Sequence, residues 1–170
     1  MSWTSIQSTS RQRSLFGKQH LLPQRLIHEI RKSKKADYHC LIEIWEASVR
    51  ATHDFLTEVD LQALKPLILA HYFDAVDLWC AKTSQGEILG FCGVHEDNIE
   101  MLFIAPQARG KGVGRLLTQH AITALGASKV DVNEQNTQAL GFYQHIGFNV
   151  IGRSPLDGQG KPYPLLHLAL

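Results

Sequence analysis

The sequence contains only three cysteines, and it has no long run of apolar residues. Cys40, Cys80 and Cys92 are odd in number and never spaced as Cys-x-x-Cys, which argues against a disulfide framework and a structural zinc site. We therefore expect reduced, buried thiols in a cytoplasmic protein. No stretch of about 18 apolar residues occurs, so we expect no transmembrane helix and no membrane partner. The nine histidines lack the spacing of ligands, so the sequence predicts no metal.

The charge is nearly balanced overall but is unevenly distributed. The net charge is +1, yet residues 1–36 carry +7 and the remainder of the chain carries −6. A nucleic-acid-binding protein usually carries its positive charge on the folded body, so we expect no nucleic-acid partner. Residues 1–25 contain no acidic residue and lack the apolar core of a secretory signal. We interpret them as a flexible extension or the product of an upstream start codon, in preference to a transit peptide.

The length and the composition predict a single domain over residues 26–170. The chain has 170 residues, of which 44% are hydrophobic and 19% are charged, as in a domain that closes one core. Apolar residues recur every three to four positions in some segments and alternate in others, which indicates helices and strands. The predicted strands are 26–31, 78–82, 88–95, 99–104, 129–132, 148–154 and 163–169. The predicted helices are 36–52, a segment capped by Thr57 and interrupted by Pro66, 112–125 and 136–146. Because hairpins alternate with helical crossovers, the sequence predicts a mixed α/β fold with helices on both faces of one sheet.

The most informative segment is a glycine-rich turn between a strand and a helix. After the predicted strand 99–104, Gly110, Gly112 and Gly114 alternate, and the turn opens the next helix. Glycine lets a ligand approach the backbone closely, and the N–H groups at a helix N-terminus favour an anion. The segment therefore predicts a loop that binds a pyrophosphate.

The charges around this loop agree with an anionic ligand. No acidic residue occurs between Glu100 and Asp131, whereas Arg109, Lys111 and Arg115 are basic. The P-loop pattern is absent, because no glycine-lysine pair has the required spacing and a following Ser or Thr. The dinucleotide pattern G-x-G-x-x-G would need glycine at position 115. The remaining alternative is that the glycines only form a tight turn.

Two separate motifs resemble those of the GNAT superfamily of acetyl-CoA-dependent N-acetyltransferases. The family signature Gln/Arg-x-x-Gly-x-Gly/Ala matches residues 107–112, and its second recurrent run matches residues 133–143, followed by Gly147-Phe148. Segments 52–56 and 160–166 are also similar to a small bacterial member of the family. The resemblance covers roughly residues 26–170. It implies a GNAT-like fold, in which a central mixed, mostly antiparallel sheet has helices on both faces and contains two splayed parallel strands.

The resemblance also implies where acetyl-CoA binds. In this family the cosubstrate lies between the two splayed strands, which correspond here to 99–104 and 129–132. Its pantetheine arm would hydrogen-bond to the backbone edge of the first strand, in the manner of an added strand. The implied cofactor-binding residues belong to that edge, to the glycine-rich loop and to the last helix: Leu102, Phe103, Ile104, Gln107, Arg109, Gly110, Lys111, Gly112, Val113, Gly114, Arg115, Asn136 and Tyr143.

The implied reaction is direct attack of an amine on the thioester, which requires a proton acceptor for the amine and a proton donor for the thiolate. Asn136 and Tyr143 lie on one face of the last predicted helix. A tyrosine with an ordinary pKa of about 10 can donate to a thiolate, so the resemblance implies Tyr143 as the acid. A core aromatic residue is the alternative. Glu100 is the first candidate base, with a solvated or salt-bridged strand residue as its alternative, and His53 and Glu134 are further candidates.

The acceptor is predicted to be a primary amine: a small molecule, a peptide N-terminus or a lysine side chain. By the architecture of the family, the first two helices and the last hairpin would form its pocket. Trp45, His53, Phe55 and Tyr163 could then provide an aromatic wall for a cation, and His53 could accept the proton of an ammonium group. A catalytically silent acyl-CoA-binding regulatory module is the alternative function. We expect a monomer or a homodimer.

Overall fold

The computed structural model describes residues 3–5, 27 and 29–170 of the chain. Strands and α-helices follow one another in the order β1 (Trp3–Ser5), β2 (Glu29–Lys32), α1 (Tyr38–Thr52), α2 (Glu58–Leu67), β3 (Asp77–Lys82), β4 (Ile88–His95), β5 (Asn98–Ile104), α3 (Val113–Leu125), β6 (Lys129–Asn133), α4 (Thr137–Ile146), β7 (Asn149–Ser154) and β8 (Leu165–Ala169). Short 3-10 turns precede α1 and α3 at Lys35–Asp37 and Pro106–Ala108. A π-helical turn, Ile68–Tyr72, follows α2.

One mixed sheet organises the described part of the chain. Its strands lie in the order β2-β3-β4-β5-β6-β8-β7, and β1 pairs with β5 outside this sequence of neighbours. Most pairs are antiparallel, whereas β5 pairs in parallel with β6 and with β1. The predicted mixed, mostly antiparallel sheet is confirmed.

Helices cover both faces of the sheet, as predicted. On one face, Phe73 packs edge-on against Phe91, with 5.7 Å between the ring centroids, and Phe91 packs against Phe103 at 5.5 Å. On the other face, Trp79 of β3 lies 4.4 Å from the ring of His120 in α3. Because neighbouring residues of a strand point to opposite faces, the first face packs under α1 and the π-helical turn, and the second under α3.

A capping residue marks the start of α2, and a proline lies near its end. The N–H of Asp60 donates to Thr57 Oγ1 at 3.1 Å, which confirms the predicted cap at the start of α2. Pro66 lies inside α2, and the helix changes to a π-helical turn from Ile68. Proline lacks a backbone N–H, so the ordinary hydrogen-bond ladder cannot continue through it. The predicted interruption at Pro66 is therefore a change from an α-helix to a π-helical turn.

One predicted strand boundary and one predicted burial are corrected. The first predicted strand, 26–31, corresponds to β2 at Glu29–Lys32, and residues 26 and 28 lie outside the described residues. Cys80 and Cys92 are buried thiols, as expected, but Cys40 is exposed because it falls outside the buried stripe of α1. Among the described helices, none combines the length and the apolar composition that crossing a bilayer requires.

Candidate active site

Strands β5 and β6 form a V-shaped opening in the sheet. They pair in parallel at two positions, the second being Ile99 with Val130, although β5 continues to Ile104 and β6 to Asn133. β6 remains paired with β8 along its whole length, so the sheet stays intact beyond the V. The two splayed parallel strands that the resemblance implied are therefore present.

Glu100 lies where the two strands separate. Gly93 of β4 pairs with Met101, and the next residue, Val94, pairs with Ile99, so Glu100 is the extra residue of a β-bulge. A bulge bends its strand and increases the local twist. This bend explains why β5 leaves β6 directly after Ile99, and it sets a carboxylate at the start of the V.

The edge of β5 inside the V carries a strand that the sequence did not predict. β1 pairs in parallel with Met101, Leu102 and Phe103, and it also contacts β6, α1 and α4. Leu102 and Phe103 are two of the three positions predicted to bind the pantetheine arm, and Ile104 follows the paired segment. A three-residue segment has too little periodicity to be recognised as a strand, so only its tertiary pairing defines β1.

The glycine-rich loop leads from β5 to the N-terminus of α3. Gly110 and Gly112 have φ angles of 70° and 83°, conformations that side-chain-bearing residues rarely adopt. The N–H of Leu116 donates to the carbonyl oxygen of Gly112, so the N–H groups of residues 113–115 precede the first intrahelical bond. This arrangement has the geometry of an anion site at a helix N-terminus.

The basic residues of the loop divide into two kinds. Lys111 and Arg115 are exposed, as is Gln107 in the turn before them. Arg109 is half-buried, and its Nη2 donates to the carbonyl oxygen and to Oγ of Ser48 in α1, at 3.1 and 3.0 Å. Its guanidinium therefore fixes the loop to α1, and its predicted contact with the cofactor stays a prediction.

Tyr143 is fully buried on α4. Asn136 caps this helix, because its side-chain oxygen accepts the N–H of Ala139 at 3.1 Å, and Tyr143 follows two turns later. The Tyr143 ring packs against Phe142 and Phe148, with centroid distances of 5.1 and 5.5 Å. The core contacts that were the alternative interpretation are thus present, while α4 also borders the V through its contact with β1.

A cavity of about 180 Å³ lies between the residues that follow α2 and the bulge in β5. Its walls are mainly apolar and include one carboxylate, and they are formed by Tyr72, Ala75, Val76, His95, Glu100 and Met101. Asn98 Nδ2 donates to Glu100 Oε1 at 2.7 Å, which orients that carboxylate. A mainly apolar cavity with a carboxylate in its wall suits an alkyl chain that carries an ammonium group.

Three of the four predicted acceptor-binding residues lie together. The ring of Phe55 lies 5.2 Å from His53 and 6.1 Å from Tyr163. Trp45 does not join them, because it is only 1% exposed within the core beneath α1. Its hydrophobic spacing on α1 gave the correct helix but did not distinguish a core position from a pocket wall.

A polar network that the sequence did not reveal fixes Tyr163. Tyr163 donates its hydroxyl to Asp60 Oδ2 at 2.6 Å, and the Lys161 ammonium pairs with the same carboxylate. The hydrogen bonds from Lys161, Tyr163 and Thr57 lower the pKa of Asp60 to about 2. The network joins the start of α2 to the loop before β8. Its members are about a hundred positions apart, so no local pattern could predict their contact.

The three candidate bases have different surroundings. Burial lowers the pKa of His53 to about 4, and the nearby charge of Arg109 adds to this effect. A group with so low a pKa is a weak base at neutral pH. Glu134 pairs with Arg153 at 2.8 Å, and that hydrogen bond lowers its pKa. Of the three, Glu100 is the one that lines the cavity.

The comparisons with known proteins agree with this geometry. The Acetyltransferase (GNAT) domain family matches residues 46–160. Peptidyl-lysine N-acetyltransferase YjaB of Salmonella typhimurium is 45% identical over 139 residues, which are 82% of this chain and 95% of that protein. YjaB of Escherichia coli is 42% identical over 144 residues, 85% of this chain and 97% of that protein.

Solved structures share the fold. The apo form of Escherichia coli YjaB has a TM-score of 0.77 at 42% identity and covers 83% of this chain and 95% of its own. The putative acetyltransferase yncA of Salmonella typhimurium, solved with its cofactor acetyl-CoA, has a TM-score of 0.59 at 21% identity, with 84% and 92% covered. The second likeness concerns the fold alone.

Proposed function

Because this chain belongs to the GNAT acetyltransferase family and is an acetyl-CoA-dependent acetyltransferase, we propose that its acceptor is the side-chain amine of a lysine in a peptide or protein. The two YjaB relatives carry the name peptidyl-lysine N-acetyltransferase, and this chain aligns with 95% and 97% of their lengths. The observation that carries the proposal is the cavity beside the bulge. Its apolar walls suit the methylene chain of lysine, and Glu100 suits the ammonium group.

Acetyl-CoA would bind along the V and the loop. Its pyrophosphate would accept hydrogen bonds from the N–H groups of residues 113–115, and the exposed Lys111 and Arg115 would add positive charge. The pantetheine arm would pair with the backbone of β5 at Leu102 and Phe103. An N–H of the same edge would polarise the thioester carbonyl and stabilise the oxyanion.

The proposed chemistry is direct transfer without an acetyl-enzyme. The neutral lysine nitrogen attacks the thioester carbon, the C–S bond breaks in the tetrahedral intermediate, and an amide forms. Glu100 would take the proton of the ammonium, directly or through water, before attack. Tyr143 would give its phenolic proton to the leaving thiolate, and the second proton of the amine nitrogen would restore the phenol as the amide forms.

The test uses one peptide with a single lysine and an unblocked N-terminus, incubated with acetyl-CoA and analysed by tandem mass spectrometry. We expect one acetyl group, located on the lysine side chain, and release of one equivalent of free CoA thiol. The same peptide with arginine in place of lysine is the control. Acetylation of the peptide α-amine would contradict the proposed acceptor, and tight CoA binding without any transfer would indicate a silent binding module.

A variant of the loop tests the cofactor site separately. Gly112 has a φ of 83°, and Gly112→Asp would add a strained side chain and a negative charge beside the proposed pyrophosphate. We expect calorimetry to show CoA affinity at least about tenfold weaker, which is about 1.4 kcal/mol, since the added carboxylate repels the pyrophosphate. Unchanged affinity in the variant would contradict the assignment of this loop.

A further inference from the structure

β1 and the proposed pantetheine arm require the same backbone groups. β1 pairs with Met101, Leu102 and Phe103, on the edge of β5 that faces into the V. The opposite edge of β5 is already paired with β4. Each backbone N–H is a single donor, so an edge that is paired with one strand cannot pair with a second ligand. Occupation of this edge by β1 and by pantetheine is therefore mutually exclusive.

We propose that β1 is an autoinhibitory strand, which docks on the edge of β5 and must leave before the pantetheine arm of acetyl-CoA can pair with that edge. This inference rests on the proposed function, because it takes the pantetheine arm as the competing ligand. Besides β5, β1 contacts β6, α1 and α4, so it lies between the two arms of the V and against the helix that carries Tyr143. A docked β1 would thus separate the thioester position from the proposed acid.

The extent of the pairing indicates that β1 can be displaced. It forms only three register positions, and it ends at Phe103, before the glycine-rich loop. Within the described residues, β1 therefore does not compete for the N–H groups of residues 113–115, which a phosphate ligand would use. Acetyl-CoA combines these loop contacts with pantetheine pairing, whereas the pairing of β1 ends at Phe103. The cosubstrate can therefore bind first at the loop and then replace β1 along β5.

The test changes the ability of β1 to pair, in the full chain. The variant Thr4→Pro/Ser5→Pro lacks both N–H groups, and because neighbouring residues of a strand point their N–H groups in opposite directions, one of the two must face β5. The matched control, Thr4→Ala/Ser5→Ala, removes the same two side chains and keeps both N–H groups. Isothermal titration calorimetry with CoA at constant salt measures the affinity of the wild type and of both variants.

We expect the proline pair to bind CoA about tenfold more tightly than the wild type and the alanine pair, which corresponds to a β1 that is docked roughly nine-tenths of the time. Equal affinities in the three proteins would overturn the proposal. If none of the three binds CoA, the proposed function fails, and the competition fails with it. If the wild type binds CoA tightly and the proline pair binds it equally tightly, only the proposed autoinhibition is overturned.

Hydrogen exchange gives a readout that does not depend on transfer activity. In the wild type, we expect the amides of Trp3–Ser5 to be protected without ligand and to exchange faster when CoA is saturating. In the proline pair, Trp3 keeps the one remaining amide of this segment, and that amide should exchange rapidly with and without CoA. Protection of Trp3–Ser5 that persists when CoA is bound would show that β1 and CoA occupy the V at the same time, which would overturn the proposal.

Discussion

Arg109 joins the glycine-rich loop to Ser48 on helix α1. One guanidinium nitrogen, Nη2, donates both to the carbonyl oxygen of Ser48, at 3.1 Å, and to its hydroxyl, at 3.0 Å. The neighbouring Lys111 is exposed and lies on the same loop. Two basic residues within three positions therefore have different tasks: Arg109 fixes the loop, and Lys111 is available to a phosphate.

This difference predicts opposite effects of two alanine substitutions. Arg109→Ala removes two hydrogen bonds to the buried residue Ser48, so the free energy of unfolding should fall by about 1–3 kcal/mol. Lys111→Ala should leave the stability within about 0.5 kcal/mol of the wild type. It should instead weaken CoA binding and reduce its dependence on salt. Urea unfolding and calorimetry at two salt concentrations measure the two quantities. A stable Arg109→Ala protein with lost CoA affinity would contradict the division of tasks.

Tyr143→Phe removes one hydroxyl and keeps the ring that packs against Phe142 and Phe148. If the phenol protonates the leaving thiolate, kcat should fall by about 10²-fold, which is the usual contribution of a general acid. The CoA affinity and the urea midpoint should remain close to those of the wild type. Phe142→Leu is a control, because it alters the neighbouring ring on the same helix without touching the hydroxyl. Equal kcat values in Tyr143→Phe and the wild type would leave Tyr143 as a core aromatic only.

The sheet, the helices and the loop could be predicted because local patterns determine them. The spacing of apolar residues gave α1 and α3, and a polar loop with glycine between two strand-like runs gave β4 with the bounds Ile88–His95 that the structure has. Gly110 and Gly112 were recognisable because their positive φ angles require glycine. In each case the information lies within about ten consecutive residues.

The parts that could not be predicted depend on contacts between distant segments. Trp45 lies on the apolar stripe of α1, but spacing alone does not tell which apolar residues reach the core and which line a pocket. The bulge at Glu100 follows from the register between β4 and β5, not from either strand by itself. The pairing of β1 with β5 joins segments that are almost a hundred residues apart. Such contacts are defined only when the sheet forms.

Glu100→Gln tests the base through the pH dependence of turnover. Glutamine keeps the size of the side chain and can still bond to Asn98, but it cannot accept the proton of the acceptor ammonium. At pH 7 kcat/KM should fall by about 10²-fold. Because a lysine amine has a pKa of about 10.4, kcat/KM of the variant should rise about tenfold for each unit of pH up to that value. The kcat/KM of the wild type should rise less steeply with pH. A variant whose rate is low and flat with pH would contradict the assignment of Glu100 as the base.

The environment of His53 predicts a loss of stability in mild acid. Burial, aided by the charge of Arg109, lowers the pKa of His53 in the folded protein to about 4, whereas an unfolded histidine has a pKa of about 6.5. Between these values the unfolded chain binds a proton that the folded chain excludes, so acid favours unfolding. The contribution is absent above about pH 7, grows as the pH falls through 6.5, and levels off below about 4. Its full size would be about 3 kcal/mol.

The measurement compares urea unfolding of the wild type and of His53→Gln at pH 7.5, 6 and 5. Glutamine does not titrate, so the difference in unfolding free energy between the two proteins should move in favour of the variant as the pH falls. Carboxylates such as Asp60 contribute equally to both proteins and cancel in this difference. His53→Gln should also leave the dependence of kcat on pH unchanged near neutrality, because a group with a pKa of about 4 does not change its charge there. Parallel stability curves for the two proteins would contradict the buried neutral state of His53, and a shifted rate profile would restore it as a candidate base.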